Sequence, residues 1–355
     1  MKPITKLTHW SILIPLLLTL ALLLAACDVN GGDLTGTSSN TSNGSPTSLG
    51  TGSQDVQVFV EPDAGYQVIT DAINQAQKSV WVEMYLLTER HVISALEEAA
   101  HSGKDVRVML EGHPYGSGSS SPSQTIDRLN AAGVQAKTTN PAFALTHEKG
   151  MILDGKTAYI LTANLTLSAL GGSSSTTNRE YGIIDTNAQD VQGAIDIFNA
   201  DWDRKDVQVN GSNLVVSPIN SRGAFLSLIN GAQKSLIVEA EEMQDQQVEQ
   251  ALINAVKRGV AVQVVLPQPQ SSSDSNQQGI DTITNGGVKV RESSKLYMHA
   301  KMMVVDRQKA FVGSENISTA SFERNRELGV IIADGNVINT LQQTFQQDWS
   351  DSQGS

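Results

Sequence analysis

A four-position pattern stands twice in this chain with identical spacing: His147, Lys149, Asp154 and Asn164, then His299, Lys301, Asp306 and Asn316. Each copy is followed by an Asn-Arg-Glu triplet, Asn178 to Glu180 and Asn325 to Glu327. A short motif met once is weak evidence, but the same positions and the same triplet met twice mean an internal duplication. Whatever fold the chain adopts has to be built from two similar halves.

The duplication reaches well beyond the motif. Ile73-Asn-Gln-Ala-Gln-Lys-Ser-Val-Trp-Val-Glu83 is echoed by Ile229-Asn-Gly-Ala-Gln-Lys-Ser-Leu-Ile-Val-Glu239, a helix end running into a strand. Helical stretches follow at Val92 to His101 and Val248 to Arg258, each stopped by a glycine, Gly103 or Gly259. Apolar strands come next, Val106 to Leu110 and Val260 to Leu266, then helical segments Ile126 to Ala132 and Ile280 to Asn285. Strands alternating with helices predict an α/β sandwich with a mixed sheet in each half. The chain divides near residue 206, giving halves at 55–205 and 206–355, each large enough for one domain with its own core. A pseudo-twofold arrangement would set the two motif strands face to face, so that neither half is active alone.

Locally, each motif reads as a hairpin. Leu145 to Leu153 is β-prone, Asp154-Gly155 turns, and Thr157 to Leu161 returns; the second copy runs to Val305, turns at Asp306-Arg307 and returns through Ala310 to Val312. Side chains alternate across a strand, so a His and a Lys two residues apart share a face. A fixed ammonium beside each imidazole repels a divalent cation, and no Cys or carboxylate cluster in the motif offers metal ligands. An anion is the better guest: two His, two Lys and two Asn converging on one pocket suit a phosphate, which points to a phosphodiester. Asp154 and Asp306 fall at the turns, away from the histidines, and read as structural residues.

These residues resemble the phospholipase D superfamily, whose H-x-K-x4-D motif occurs twice in its larger members. The second copy, His299-Ala-Lys301-Met-Met-Val-Val-Asp306 with Gly313-Ser314-Glu315-Asn316, fits the pattern in full; the first has Leu161-Thr162 where Gly-Ser is usual. The resemblance implies two tandem phospholipase D-like α-β-α sandwich domains and a metal-independent, cofactor-free, two-step displacement at phosphorus through a phosphohistidine. It implies His147 as nucleophile, His299 as general acid, Lys149, Lys301, Asn164 and Asn316 as phosphate ligands, and Thr162 and Ser314 as the motif hydroxyls. Glu180 and Glu327 stand where the family carries an acid bonded to the imidazole, each downstream of its own half's histidine.

Residues 1–26 have the pattern of an export signal, with Lys2 and Lys6 ahead of a short apolar run. Leu24-Ala25-Ala26-Cys27 resembles a bacterial lipoprotein processing box, which would make Cys27, the sole cysteine, a lipidated N-terminus. Residues 27–54 are mostly Ser, Thr, Gly and Asn and read as a disordered tether. The expected location is the outer face of the bacterial cell membrane or the periplasm, with a monomer holding both half-sites.

Across the chain 25 Lys and Arg face 37 Asp and Glu; loss of Lys2 and Lys6 with the signal takes the net charge from −12 to −14. No basic stripe with interleaved aromatics offsets this, which disfavours nucleic acid as partner and favours phospholipid, with a zwitterionic headgroup easiest to accept. The leading expectation is a phospholipase D-type hydrolase. Alternatives are a phosphatidyl transferase of the cardiolipin synthase kind, a metal-independent envelope nuclease and a non-catalytic anion-binding lipoprotein. Two loops, 111–123 and 267–279, are expected to rim the pocket, with Tyr115 as the aromatic contact; His91, His101 and His113 have no duplicated partner and read as solvated.

Overall fold

In the first half the apolar runs become strands and the amphipathic stretches pack over them: β1 (Val56–Glu61), α1 (Gln67–Gln75), β2 (Ser79–Met84), α2 (Arg90–His101), β3 (Asp105–Leu110), α3 (Pro122–Ala131) and β4 (Gln135–Thr138). The motif hairpin and the triplet strand follow as β5 (Lys149–Leu153), β6 (Thr157–Leu161) and β7 (Asn178–Asp185), and α4 (Ala188–Asp203) closes the half. The computed structural model describes residues 50–115, 122–172, 176–209, 211–269 and 274–354. α2 shows why the periodicity was legible. It buries Val92, Ile93, Ala95, Leu96 and Ala99 along one stripe, Glu89 caps it by accepting from the Val92 N–H, and Gly103 leaves it at φ 87°.

The second half repeats the order with short additions: β8 (Leu214–Ser217), α5 (Ser221–Gly231), β9 (Ser235–Glu239), β10 (Met243–Gln244), α6 (Gln246–Lys257), β11 (Ala261–Pro267), α7 (Gln277–Asn285) and β12 (Lys289–Ser293). Then come β13 (Tyr297–Met298), β14 (Met302–Val305), β15 (Lys309–Gly313), β16 (Ile317–Ser318), α8 (Thr319–Glu323), β17 (Glu327–Ile332), α9 (Gly335–Asp351) and β18 (Gln353–Gly354). The sheets run β1-β7-β6-β5-β2-β3-β4 and β8-β17-β15-β14-β9-β11-β12, strand for strand the same path. Both are mixed: β2-β3-β4 and β9-β11-β12 are parallel, while the motif hairpins and triplet strands are antiparallel. The α/β fold with two phospholipase D-like domains is therefore what the chain forms.

Each half has an outer apolar core, but the two also share one. Ile152, Ile160, Ile183 and Phe198 of the first half lie in one buried cluster with Met302, Val312, Val330 and Phe345 of the second. The helix ending each half binds the other half too: α4 touches β8, and α9 touches β1.

Two expectations change, and one lies beyond the described residues. The motif strand is not continuous. In the second copy it breaks between β13 and β14, and in the first β5 begins only at Lys149, so each histidine sits on a bend just before its hairpin. Residues 50–54, expected as the end of a tether, instead run along the second half, where the Ser53 N–H donates to the Ile331 carbonyl (2.8 Å) and the Gly52 N–H to Asn213 Oδ1 (2.9 Å). The expected signal, Cys27 and the remainder of the tether to residue 49 lie outside the described residues.

The Leu161 departure is compensated. A Cβ on Gly313 would lie 2.4 Å from Gly329 Cα and 2.5 Å from the folded-back Glu315 carboxylate. In the first half Leu161 is itself buried and Ala163 stands where the second half has Glu315, so no folded-back carboxylate crowds that position.

Candidate active site

The bends exist because the segment before each histidine leaves its own sheet and pairs with the triplet strand of the other half. Thr146 bridges Arg326, and the His147 N–H donates to the Arg326 carbonyl (2.8 Å). Tyr297 and Met298 pair with Asn178 and Arg179 in the same way. Each lysine then secures its bend from within: Lys149 Nζ donates to the His147 carbonyl (2.7 Å) and Lys301 Nζ to the His299 carbonyl (2.6 Å).

This crossing sets the imidazoles. His147 Nδ1 lies 2.9 Å from Glu327 Oε2, and His299 Nδ1 lies 2.6 Å from Glu180 Oε1. Each histidine is thus oriented by the glutamate of the opposite half, which corrects the own-half pairing expected from chain order. The carboxylates are themselves held. Thr162 Oγ1 and Asn178 Nδ2 donate to Glu180 (2.6 and 3.0 Å), while Ser321 Oγ and Asn325 Nδ2 donate to Glu327 (2.8 and 3.2 Å). Ser314 bonds both Glu327 and the Leu328 N–H. The arginines of the triplets cross as well, as buried bidentate pairs Arg179–Asp348 (2.5 and 2.8 Å) and Arg326–Asp201 (2.7 and 3.1 Å).

His147, His299, Asn164 and Asn316 line one cavity of about 500 Å³, with Nδ1 of each imidazole engaged by a glutamate. Lys149 and Lys301 lie buried behind them, 0% and 2% exposed. Tyr115 stands on the rim, and its N–H donates to the Tyr85 hydroxyl (2.5 Å). Among the described residues of the 267–279 loop none lines this cavity, so only the 111–123 loop meets its expectation there. Asp154 and Asp306 sit at the far ends of the hairpins, as expected of turn residues. His91 is largely exposed, stacks on Tyr66 and contacts Glu89 (2.8 Å); His101 and His113 are exposed.

Burial lowers the His147 pKa below its ordinary value despite the opposing pull of Glu327, with Lys149 adding to the fall. Burial, then Lys301, pushes Lys149 down to about 7. Burial alone would raise Glu180 and Glu327, but the facing imidazoles and lysines overcome it and hold both below the usual carboxylate value. The cavity therefore holds an imidazole biased towards its neutral form and two unpartnered amide oxygens, Asn164 Oδ1 and Asn316 Oδ1, backed by two buried lysines.

Three further residues line this cavity and were not singled out in the sequence: Tyr85, Glu241 and Glu242. Tyr85 packs edge-on against His147, with ring centroids 4.8 Å apart. Glu241 Oε2 lies 2.8 Å from Lys301 Nζ and 3.4 Å from His299 Nε2, and Glu241 Oε1 accepts from the Tyr297 hydroxyl (3.3 Å). Glu242 lines the cavity beside it. Burial would raise Glu241, yet His299 and Lys301 hold it far below the carboxylate range. Repeat alignment places Tyr85 opposite Glu241, and that mismatch between otherwise matching segments was the available signal.

The family described as cardiolipin synthase, PLD-like domain, matches residues 69–202 and again 225–349. A cardiolipin synthase of Clostridium perfringens (strain 13 / Type A) is 23% identical over 345 residues, covering 83% of this chain and 70% of the relative. A probable cardiolipin synthase of Bacillus subtilis (strain 168) is 23% identical over 336 residues, covering 84% and 66%. Among solved structures, phosphatidylserine synthase of Haemophilus influenzae superposes with a TM-score of 0.67 at 12% identity, over 86% of this chain and 88% of that one. Polyphosphate kinase of Porphyromonas gingivalis gives 0.65 at 17% identity, over 83% and 47%. At such identities these two speak for the fold. With two complete motifs joined in one cavity and the family matching both halves, the chain belongs to the phospholipase D superfamily, in the family of the cardiolipin synthase PLD-like domain.

Proposed function

We propose that the protein transfers a phosphatidyl group between alcohols through a covalent phosphohistidine, as a phosphatidyl transferase of the cardiolipin synthase kind. The observation that carries this is the pair of cross-oriented histidines opening on one cavity, with lysines and asparagines of both halves around them. The relatives named as cardiolipin synthases favour transfer over hydrolysis. His147, the imidazole biased towards its neutral form, attacks phosphorus through Nε2; an N–P bond forms and the P–O bond to the leaving alcohol breaks. His299 Nε2 gives its proton to the departing oxygen. The acceptor alcohol then returns a proton to His299, attacks phosphorus and releases His147. Lys149, Lys301, Asn164 and Asn316 stabilise the charge on the phosphoryl oxygens.

Water in place of the acceptor alcohol makes the same protein a phospholipase D-type hydrolase. The full-length chain, incubated in mixed micelles with labelled phosphatidylglycerol or phosphatidylethanolamine and excess acceptor, is expected to yield diphosphatidylglycerol and free headgroup alcohol. His147→Ala and His299→Ala are each expected to abolish both products. Phosphatidic acid alone, at any acceptor concentration, would assign hydrolysis; DNA cleavage without lipid turnover would sink both readings. The N-terminal pattern supports attachment to the outer face of a bacterial membrane through Cys27. Mass spectrometry of the exported protein tests this: an unmodified Cys27 would refute it.

A further inference from the structure

The two half-sites share their histidines, lysines, asparagines and crossed glutamates, but only the first is tied to a loop on the cavity rim. Glu111 stands at the end of β3. The register that pairs Ser79 with Asp105 and Ser235 with Ala261 puts Pro267 at the matching place in the second half, where no side chain can accept a hydrogen bond. Glu111 is 7% exposed, and its two oxygens serve different segments. Oε2 accepts from the N–H of Thr146, the residue before the His147 bend (2.7 Å), and from the Thr139 hydroxyl (3.3 Å); Oε1 accepts from the N–H of His113 (2.9 Å). One buried carboxylate thus fastens both the bend that carries His147 and the start of the 111–123 loop.

A second link runs through Tyr85. Its ring meets His147 edge-on, and its hydroxyl accepts from the Tyr115 N–H, two residues beyond His113. The matching residue of the second half is Glu241, and the ring beside His299, that of Tyr297, comes from its own segment (6.3 Å). Hydrogen bonds from backbone N–H groups to a carboxylate are strong, and breaking one in the interior leaves a donor unsatisfied. Residues 111–115 and His147 are therefore held as one unit. Since His299 has neither link, they are not a requirement of the shared chemistry and serve something particular to His147.

We propose that Glu111 and Tyr85 are positioning residues that tie the aim of His147 to the rim segment 111–115, whose Tyr115 ring projects 93% exposed. This rests on the phosphodiester reading above, in which His147 must bring Nε2 onto phosphorus. Forming that bond demands a fixed ring angle, and a displacement of about 1 Å is enough to cost two orders of magnitude in rate. Whatever shifts Tyr115 is felt at His147 and not at His299.

NMR of the full-length chain labelled at its histidine nitrogens tests this, because it reads the His147–Glu327 and His299–Glu180 bonds separately once His147→Ala and His299→Ala have assigned them. Glu111→Gln leaves one acceptor oxygen for two backbone donors, and Tyr85→Phe keeps the ring but loses the hydroxyl. Each is expected to shift or broaden the His147 signal and leave the His299 signal in place, which also shows that the fold is intact. With labelled phosphatidylglycerol, kcat for headgroup release is expected to fall about tenfold in each variant with KM within about twofold. The double variant should lose far less than the product of the two, since both act on one ring. Signals of both histidines unchanged, or disturbed alike, would overturn the proposal, as would losses that simply multiply. A response of His147 alone, with no lipid turned over by any form, would retain the positioning and refute the transfer reading. Variants that turn over lipid at the unmodified rate would refute the positioning alone.

Discussion

Lys149 shows what the site costs at the scale of one residue. Its ammonium is buried, faces a second lysine and is held down to about 7, so its charged form is disfavoured in the folded chain. The unfolded lysine keeps its proton to a much higher pH; the penalty is therefore full below about 7 and fades as pH rises towards about 10.5. Lys149→Met is expected to raise the melting temperature by a few degrees at pH 7, in line with a gain of about 1–3 kcal/mol when a buried charge gives way to a fitted apolar chain. The gain should shrink towards pH 10, and phosphodiester turnover should fall by about 10²–10³-fold. A variant equally inactive but less stable at pH 7 would contradict this account.

The motif aspartates belong to the scale of elements. Asp154 accepts from the backbone N–H groups of Gln77, Lys78 and Ser79 (2.6–3.0 Å), and Asp306 from those of Gln233, Lys234 and Ser235 (2.7–2.8 Å). The carboxylate thus ties the hairpin turn to the entry of the central strand, β2 or β9, and explains why Gln-Lys-Ser is repeated with it. Both aspartates adopt positive φ, 56° and 52°, which an Asp tolerates better than most residues. Burial alone would raise each, but the three backbone donors hold both below the ordinary Asp value. Asp306→Asn, which keeps the turn, is expected to cost about 1 kcal/mol and Asp306→Ala about 2–3 kcal/mol in chemical denaturation. The Asn effect should begin to shrink only as pH falls below the ordinary Asp value of about 3.8 and should vanish once pH has passed the lowered folded value. An Asn effect that does not shrink at all on acidification would show that geometry rather than charge is responsible.

The hairpins, helices and turn roles were legible because they rest on short-range spacing that each half repeats. The crossed pairings were not. A contact such as His147–Glu327 spans 180 residues, and a repeat makes Glu180 and Glu327 equally plausible partners from spacing alone. Only the break in the motif strand, which carries it onto the other half's triplet, selects between them. The partner aspartates had left a trace, since Asp201-Trp202 and Asp348-Trp349 stand at the same interval after their triplets. Glu241 was hidden for the opposite reason: it departs from the repeat, and attention to what is duplicated passes over what is not.

At the scale of the whole molecule the interior is unusually rich in carboxyl groups raised by burial. Glu61 and Asp185 are each pushed up to about 7, and Glu83, Glu148, Glu239 and Glu315 are raised further or similarly, with burial the largest cause in each. A carboxyl raised on folding binds its proton more tightly in the native state, so its contribution to stability is lost as pH rises from about 4.5 through its folded value. The carboxylates of the site and the turns act in the opposite sense, but at or below about pH 4.5. The melting temperature is therefore expected to rise by several degrees between pH 8 and pH 5.5 and to fall again below pH 4, as differential scanning calorimetry would record. A flat profile over that range would mean that ions or solvent, not protons, neutralise the interior.

The exchange of glutamates between halves has a consequence in time as well as in space. A chain that has emerged only through its first half carries His147 and Lys149 but lacks Glu327 and all of the second motif. Its imidazole is present without an orienting carboxylate, and no partner stands by to hand over a proton. Both crossed pairs, His147 with Glu327 and His299 with Glu180, are completed together when the second half docks, so an unfinished or clipped chain is expected to be chemically silent.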